Sequence, residues 1–227
     1  RLVLRVTTRL AVLGSPIAHS KSPALHRAAY EVLGLDWRYD AYEVDEASLP
    51  DFVAGLDGTW RGLSLTMPLK RAVLPLLDDV SDLARAVGAV NTVLRPDGGG
   101  LHGHNTDVPG LVAALRERNV DDVRRAAVLG GGATARAAVA AMAEVADEVE
   151  VFVRTASRSE EMALLAERCR VRCTTRSWTD LADGLRADLV VATTPAGVLD
   201  AAAPSIPEKP GVLLDVLYEP WPTALAA

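Results

Sequence analysis

A glycine-rich turn between a predicted strand and a predicted helix carries the clearest chemical signal in the 227-residue chain. The pattern Gly130-x-Gly132-x-x-Ala135 follows the apolar run of residues 123–129, and a helix-forming segment comes next. In this context it is typical of a dinucleotide site, because Gly130 allows a tight turn, Gly132 lets the backbone approach a pyrophosphate and Ala135 allows close packing of helix on sheet. The start of the helix also offers unpaired N–H groups to the anion.

The residues at the end of the next predicted strand indicate which dinucleotide binds. An NAD site has a carboxylate about 20 residues after the glycines, whereas this chain has Arg154, Thr155 and Arg158 in that region. Two guanidiniums and a hydroxyl suit a 2′-phosphate, so the sequence favours NADP as the cofactor. In the alternative interpretation the arginines are solvated loop charges, since Glu150 on the same strand could pair with one of them.

A second set of polar groups lies at predicted strand ends in the first half of the chain. Thr66 and Lys70 follow one strand, and Asn91, Asn105 and Asp107 lie beside its neighbours. Ligand crevices of open α/β sheets lie at the carboxyl ends of strands, so we expect Thr66 and Lys70 to face one. The amide, hydroxyl and carboxylate groups together suit a ligand that carries several hydroxyls.

Lysine is rare in this chain, which makes Lys70 informative. Only Lys21, Lys70 and Lys209 are lysines among the 24 residues that are Lys or Arg. We interpret this as a bias toward arginine at ordinary surface positions, so that a retained lysine indicates a need for an amine. An amine can release its proton, which a guanidinium cannot readily do.

Two hydroxyls lie where another predicted strand gives way to a helix over residues 22–34. Ser20 and Ser22 are near the N-terminus of that helix, a place that favours a carboxylate ligand. The competing interpretation is that Ser22 only caps the helix, with Pro23 as its first residue and Gly34 as its stop.

Short apolar runs alternate with helical-period segments, which predicts an α/β protein with largely parallel sheets. We divide the chain into a domain of residues 1–107, a linking helix of residues 108–122 and a domain of residues 123–227. The predicted helices are residues 22–34, 48–56, 71–88 and 108–119; the predicted strands are residues 9–14, 37–44, 60–66, 89–95, 101–107, 169–175, 188–194 and 211–218, with a hairpin turn at 96–100 and a strand–turn–helix–strand unit over 123–158.

Composition limits the partners of the chain. The net charge of −6 argues against nucleic acid and anionic membranes, which need clustered cations. The spacing of Cys169 and Cys173 fits neither a redox pair nor a zinc site, so we expect packing residues and no metal. Because no apolar run reaches about 20 residues and residues 1–14 lack a signal-peptide pattern, we expect a cytoplasmic protein without membrane contact. The expected assembly is a monomer or homodimer.

Seven ordered blocks make the sequence resemble the shikimate dehydrogenase family: SPIAHSKSPALH, SLTMPLK, GAVNT, GHNTD, GGGATAR, VRTASR and DVLYEP. The resemblance implies an N-terminal α/β substrate domain and a C-terminal Rossmann NADP-binding domain, with the active site in the cleft between them. It also implies the NADPH-dependent, reversible reduction of 3-dehydroshikimate to shikimate, a step of the shikimate pathway of aromatic amino-acid biosynthesis.

The resemblance further implies roles for single residues. Lys70 and Asp107 form the catalytic pair, and which of them donates the proton stays open. Simpler interpretations are a solvated lysine and an Asp107 that only caps helix 108–119. The implied substrate contacts are Ser20, Ser22, Thr66, Lys70, Asn91, Asp107 and Tyr218. The implied cofactor contacts are Gly130, Gly131, Gly132, Ala133, Thr134, Ala135, Arg136, Arg154, Thr155, Arg158 and Thr193.

Three alternatives stay open: a quinate/shikimate dehydrogenase that uses NAD, a dehydrogenase of the methylene-tetrahydrofolate type, and a catalytically silent NADPH-binding regulator. Ser20 with Ser22 and the Arg154–Arg158 pair favour shikimate with NADP, and the N-T-D block argues against the folate type. The family continues beyond DVLYEPWPT into a last strand and a helix, which carries a Gln that contacts substrate. We therefore expect the chain that ends at Ala227 to lack that segment and to be weakened or inactive.

Overall fold

The computed structural model describes residues 7–227. It divides into two compact units, with the division between Asn105 and Thr106. Each unit has its own sheet. The helix predicted as a separate linker packs against another helix of the second unit, and the predicted three-part division of the chain stays a prediction.

The first unit contains a six-stranded mixed sheet in the order β2-β1-β3-β5-β6-β4. Strands β1 and β3, like β1 and β2, run parallel, while β5 is antiparallel to both β3 and β6. The predicted hairpin joins β5 to β6. The strands are β1 (Thr8–Gly14), β2 (Trp37–Glu43), β3 (Trp60–Leu65), β4 (Asp79–Val80), β5 (Thr92–Leu94) and β6 (His102–His104); the helices are α1 (Ser22–Val32), α2 (Leu49–Ala54), α3 (Leu69–Ala72) and α4 (Asp82–Val87).

Helix α1 begins one residue earlier than predicted. Its N-cap position is Lys21 and Ser22 is its first helical residue, so the prediction of Ser22 as the cap was wrong. The Ser20 hydroxyl accepts the N–H of Ser22 instead, at 3.3 Å. Pro23 has a φ suited to the first turn of a helix and has no N–H that would need an acceptor. The helix can therefore begin at Ser22, the residue before Pro23. Gly34 ends the helix as predicted, with a φ of +65° that favours glycine.

The single helix predicted over residues 71–88 was also wrong. Helix α3 ends at Ala72, residues Leu74–Leu76 form a 3₁₀ turn, and strand β4 intervenes before α4. Pro75 has no N–H and its ring clashes with the preceding helical turn, so a continuous helix cannot pass through it. The Ser81 hydroxyl then starts α4 by accepting the N–H of Ala84 at 3.4 Å.

The second unit contains a five-stranded parallel sheet in the order β11-β10-β7-β8-β9. The first strand in sequence lies in the middle and the order reverses beside it, as in a Rossmann fold. Its elements are α5 (Asp107–Arg116), β7 (Val123–Leu129), α6 (Ala133–Met142), β8 (Ala146–Val153), α7 (Ala156–Cys169), β9 (Cys173–Ser177), α8 (Leu181–Gly184), β10 (Leu189–Ala192) and β11 (Val212–Asp215).

Strand β9 begins at Cys173, so the strand predicted over residues 169–175 was placed too early. Helix α7 occupies the chain through Cys169 and ends at Arg170, which has a φ of +56°. Among residues 7–227, no helix is both long and apolar enough to cross a membrane.

The two cysteines are free thiols that are partly buried. Burial raises the pKa of the Cys173 thiol from 9.0 to about 11. Burial also raises the pKa of Cys169, against the opposing effect of Arg168 and Arg136. Both shifts make the thiols less reactive, because the thiolate is the nucleophile.

We therefore expect Cys173 to be nearly inert to alkylation in the folded protein. A rise of two in pKa leaves about 100-fold less thiolate at pH 8. Mass spectrometry after a short iodoacetamide treatment at pH 8 should find Cys173 unmodified in the folded protein and labelled in the guanidinium-unfolded protein. Equal labelling in the two states would contradict the assigned burial.

Candidate functional site

In the first unit the strand order reverses beside β1, which lies between β2 and β3. Open α/β sheets place their ligand sites at such a reversal, at the carboxyl ends of the strands. The two loops touch, since the Ser15 N–H donates to the Met67 carbonyl at 2.9 Å. A Cβ at Gly14 would collide with Thr66 Cγ2. Glycine at this position brings the two loops together.

Backbone hydrogen bonds gather three predicted site residues at this edge. The Thr66 N–H donates to the Leu13 carbonyl at 2.9 Å, the Lys70 carbonyl accepts the N–H of Val90 at 2.7 Å, and the Asn91 carbonyl accepts the N–H of Leu65 at 2.7 Å. Strand β5 runs antiparallel to β3, so its starting end lies at the carboxyl end of β3. The side chains of Thr66, Lys70 and Asn91 are all partly buried there.

A buried hydroxyl network lies behind this edge. Tyr39 is 1% exposed, and its phenol donates to Ser64 Oγ at 2.7 Å. Burial raises the pKa of Tyr39, and the nearby Ser64 and Ser22 hydroxyls partly oppose that shift. Ser22, a predicted substrate contact, therefore shares its surroundings with a buried phenol.

His26 completes the support of the Ser20–Ser22 loop. Its ring stacks on Tyr39 with 3.9 Å between ring centres, and its Nδ1 lies 2.9 Å from the Ser22 carbonyl oxygen. These contacts give His26 a packing role beside Ser22. Sequence analysis missed Tyr39 and Ser64. The available signal was a tyrosine at an apolar position of a strand, because a buried phenol needs a hydrogen-bond partner.

The N-T-D block spans the boundary between the units. Asn105 is 4% exposed and its Nδ2 donates to the Ala89 carbonyl at 3.0 Å. Thr106 occupies the N-cap position of α5, and Asp107 is the first helical residue. The simpler interpretation of Asp107 as the N-cap residue was therefore wrong. Lys70 belongs to the first unit and Asp107 to the second.

The glycine turn of the second unit lies where its strand order reverses, between β7 and β10. Gly130 has a φ of +127°, and a Cβ there would lie 2.6 Å from Thr193 Oγ1. That hydroxyl donates to the Leu129 carbonyl at 2.8 Å. Thr193, a predicted cofactor residue, thus packs directly against the turn.

Gly132 has a different environment. Its φ of −86° is open to any residue, and a Cβ there would meet nothing within 4 Å. The packing of the described protein therefore does not require glycine at this position, whereas a pyrophosphate close to the backbone would. No side chain caps the N-terminus of α6, which begins at Ala133. Gly130 through Ala135 fit the dinucleotide that the sequence predicts.

The predicted 2′-phosphate residues surround the start of α7. Thr155 caps this helix, with its Oγ1 accepting the N–H of Arg158 at 3.4 Å. Arg154 and Arg158 are exposed, and the Arg154 guanidinium lies 5.6 Å from the centre of the Trp178 ring. A Cβ at Gly131 would lie 3.4 Å from Arg158 Cβ, so this helix start adjoins the glycine turn.

Glu150 does not pair with either arginine of that group. Its two oxygens lie 3.2 Å from Arg125 Nη1 and 2.7 Å from Arg176 Nη1. The alternative that Glu150 neutralises Arg154 or Arg158 was therefore wrong. Arg158 has Glu161 as its carboxylate partner, at 3.0 Å.

The loops after β10 and β11 line a small open pocket of about 190 Å³ in the second unit. Asp215 lies in its wall and accepts hydrogen bonds from the Leu217 N–H at 3.0 Å and from Thr223 Oγ1 at 2.7 Å. Tyr218, a predicted substrate contact, lies outside this wall and is 51% exposed. The other residues of the wall are Thr194, Pro195, Ala196, Gly197, Leu199, Asp200, Leu217, Pro220, Pro222, Thr223, Ala224 and Leu225.

The parallel order of the second sheet and the glycine turn at its reversal point define a dinucleotide-binding unit. Arginines in place of the acidic residue of an NAD site favour the phosphorylated cofactor. The fold and this site place the chain in the class of NADP-dependent oxidoreductases.

Comparison with known proteins narrows the class to one family. Residues 12–93 match the family described as shikimate dehydrogenase substrate binding domain. The chain is 39% identical over 216 residues to an NADP(+) shikimate dehydrogenase of Thermus thermophilus, covering 93% of this chain and 79% of the relative.

Solved structures agree in fold. The shikimate dehydrogenase of Mycobacterium tuberculosis has a TM-score of 0.87 at 40% identity, covering 96% of this chain and 84% of that one. A Thermus thermophilus enzyme, solved with NADP(H) and shikimate, has a TM-score of 0.82 at 38% identity, covering 97% and 82%. The chain belongs to the shikimate dehydrogenase family. The predicted family, fold class, oxidoreductase activity and NADP cofactor are confirmed.

Two glycine variants should separate folding from cofactor binding. Gly132→Ala has room for its Cβ and an ordinary φ, so we expect an unchanged melting temperature and NADP binding weakened about tenfold or more, because the methyl group meets the pyrophosphate. Gly130→Ala should lower the melting temperature as well, because its φ of +127° strains an L-residue.

Calorimetry for stability and fluorescence titration for NADP binding would measure both effects. Gly98→Ala, which also meets nothing within 4 Å, is the control and should leave both values unchanged. Unaltered NADP binding by Gly132→Ala would contradict the placement of the pyrophosphate.

Proposed function

We propose that this chain catalyses the reversible, NADPH-dependent reduction of 3-dehydroshikimate to shikimate. The observation that carries the proposal is the set of backbone bonds that holds Thr66, Lys70 and Asn91 at one edge of the first sheet. A cationic amine, a hydroxyl and an amide together suit a ketone beside ring hydroxyls. NADPH, when bound, supplies the hydride.

Lys70 and Asp107 are the proposed catalytic pair. Ketone reduction places negative charge on an oxygen, which a nearby ammonium stabilises and a proton neutralises. A carboxylate close to the ammonium would hold it in its charged form and would accept a hydrogen bond from the product hydroxyl. The proton is then shared between two coupled groups, and its donor is a property of the pair.

The remaining proposed contacts divide between the two ligands. Ser20 and Ser22 hold the substrate carboxylate, a role supported by their place at the start of α1 and by the Tyr39 network behind them. Thr66, Asn91 and Tyr218 contact the ring and its hydroxyls. Gly130 to Arg136, with Thr193, hold the pyrophosphate region, and Arg154, Thr155 and Arg158 bind the 2′-phosphate.

We also propose that the protein works in the cytoplasm as a monomer or homodimer. The net charge of −6 supports the absence of a nucleic-acid partner, because such partners attract clustered cations. Sedimentation at several protein concentrations would decide between the two assembly states.

The decisive assay follows the absorbance of the reduced cofactor with shikimate or quinate and with NADP or NAD. We expect activity with shikimate and NADP, and a Lys70→Ala variant with kcat lowered about 10²- to 10⁴-fold. Lys209→Ala, which alters an exposed lysine, is the control and should match the wild type. Undiminished activity of Lys70→Ala would contradict the proposed mechanism. Activity only with quinate and NAD would contradict the proposed substrate and cofactor.

The Tyr39 phenol should matter for substrate binding and not for cofactor binding or turnover. Tyr39→Phe keeps the ring that stacks on His26 and removes the hydrogen bond to Ser64. A lost hydrogen bond of this kind weakens binding up to about tenfold, so we expect the KM for shikimate to rise about three- to tenfold, with the KM for NADP and kcat within about twofold. Equal increases in both KM values would indicate a general loss of structure instead.

A further inference from the structure

One carboxylate links the two ends of the predicted cofactor site. Glu161 Oε2 lies 3.0 Å from Arg158 Nη1 on the same helix and 3.7 Å from Arg136 Nη1 in the first turn of α6. The side chains differ in exposure: Arg136 is 5% exposed, Glu161 35% and Arg158 44%. Glu161 is thus shared between a buried cation beside the glycine turn and an accessible cation at the start of α7.

The stem of Arg158 lies beside the glycine turn, and its guanidinium reaches Glu161. Its backbone N–H donates to the hydroxyl of Thr155, and its Cβ and Cδ lie 3.4 and 3.5 Å from the position that a Cβ of Gly131 would take. A change of ion-pair partner therefore needs rotation only at the end of the side chain. Arg136 is buried, so the burial of its charge favours keeping the Glu161 carboxylate beside it.

We propose that Glu161 is a specificity-determining residue that lowers the affinity for NADP, by holding Arg158 in an ion pair with which the 2′-phosphate must compete. The inference rests on the proposed function, in which Arg158 receives that phosphate. NAD has no 2′-phosphate and leaves the ion pair intact. Glu161 therefore opposes the binding of NADP without affecting NAD, and it eases release of the phosphorylated cofactor.

Two opposing effects of Glu161 have to be compared. The carboxylate restrains the flexible Arg158 side chain, which reduces the entropy that binding costs. It also repels a phosphate that carries about two negative charges and offsets the positive charge of Arg158, with which it forms an ion pair. The repulsion acts on every orientation of the ligand, whereas the restraint helps only if it matches the bound geometry. Electrostatic competition is the larger effect.

The test is a set of cofactor titrations with Glu161→Gln, which keeps the size and the hydrogen-bond acceptor of the side chain. Breaking a partly exposed ion pair corresponds to a factor of about two to five. We expect the Kd for NADP and for the probe adenosine 2′,5′-bisphosphate to fall by that factor, with the Kd for NAD unchanged. Glu160→Gln is the matched control. It alters an exposed carboxylate on the same helix that forms no ion pair within residues 7–227, and it should change none of the three.

A double variant tests whether the effect passes through Arg158. In an Arg158→Ala background, Glu161→Gln should no longer tighten NADP binding. If Glu161→Gln does not fold, Glu161→Asp replaces it. Its side chain is one methylene shorter, which weakens the 3.0 Å ion pair with Arg158, and it should tighten NADP binding in the same direction by a smaller factor.

The outcomes separate this inference from the proposed function. A wild-type protein that prefers NADP, with variants at Glu161 that bind it equally or more weakly, would overturn the inference alone. A gain that persists without Arg158 would also overturn it. A wild-type protein without any preference for NADP would overturn the proposed cofactor site, and the inference with it.

Discussion

Both candidate sites depend on the close approach of two loops where the strand order of a sheet reverses. Gly14 lies against Thr66 in the first unit, and Gly130 lies against Thr193 in the second. Neither position has room for a Cβ. Since parallel strands end at the same edge, loops that meet there inherit the fixed spacing of the sheet. The strands therefore hold the backbone of these loops in place.

Buried polar groups then fix the orientation of the side chains that these loops carry. Tyr39 lies behind Ser22 and donates to Ser64, Asn105 donates to the carbonyl of Ala89, and Arg136 lies beside Glu161. Each of these three groups is at most 5% exposed. A buried polar group without a partner is costly, so each of them favours one local arrangement over its alternatives. In the first unit the buried Tyr39 lies behind Ser22. In the second unit the buried Arg136 lies beside Glu161.

Sequence predicted the features that are set by neighbouring residues. The apolar run before Gly130 indicated β7, and the glycine spacing indicated the turn, because both signals are local. Gly34 ended α1 for the same reason. Prediction failed where a proline acts on a helix: Pro75 interrupted the segment predicted as one helix, and Pro23 let α1 begin at Ser22 instead of after it. At both places the missing N–H group of proline decides where a helix can begin or continue.

Contacts between distant residues could not be predicted in the same way, and the second sheet illustrates why this matters. In the sequence, the visible candidate partners of Glu150 were Arg154 and Arg158, which follow its strand. The sheet instead places it between Arg125 of β7 and Arg176 of β9, which are 25 and 26 residues away. Glu150 thus forms its ion pairs with the two strands that neighbour its own. Glu150 therefore does not offset the charges of Arg154 and Arg158 at the start of α7. Glu161 is the carboxylate that pairs with Arg158 there.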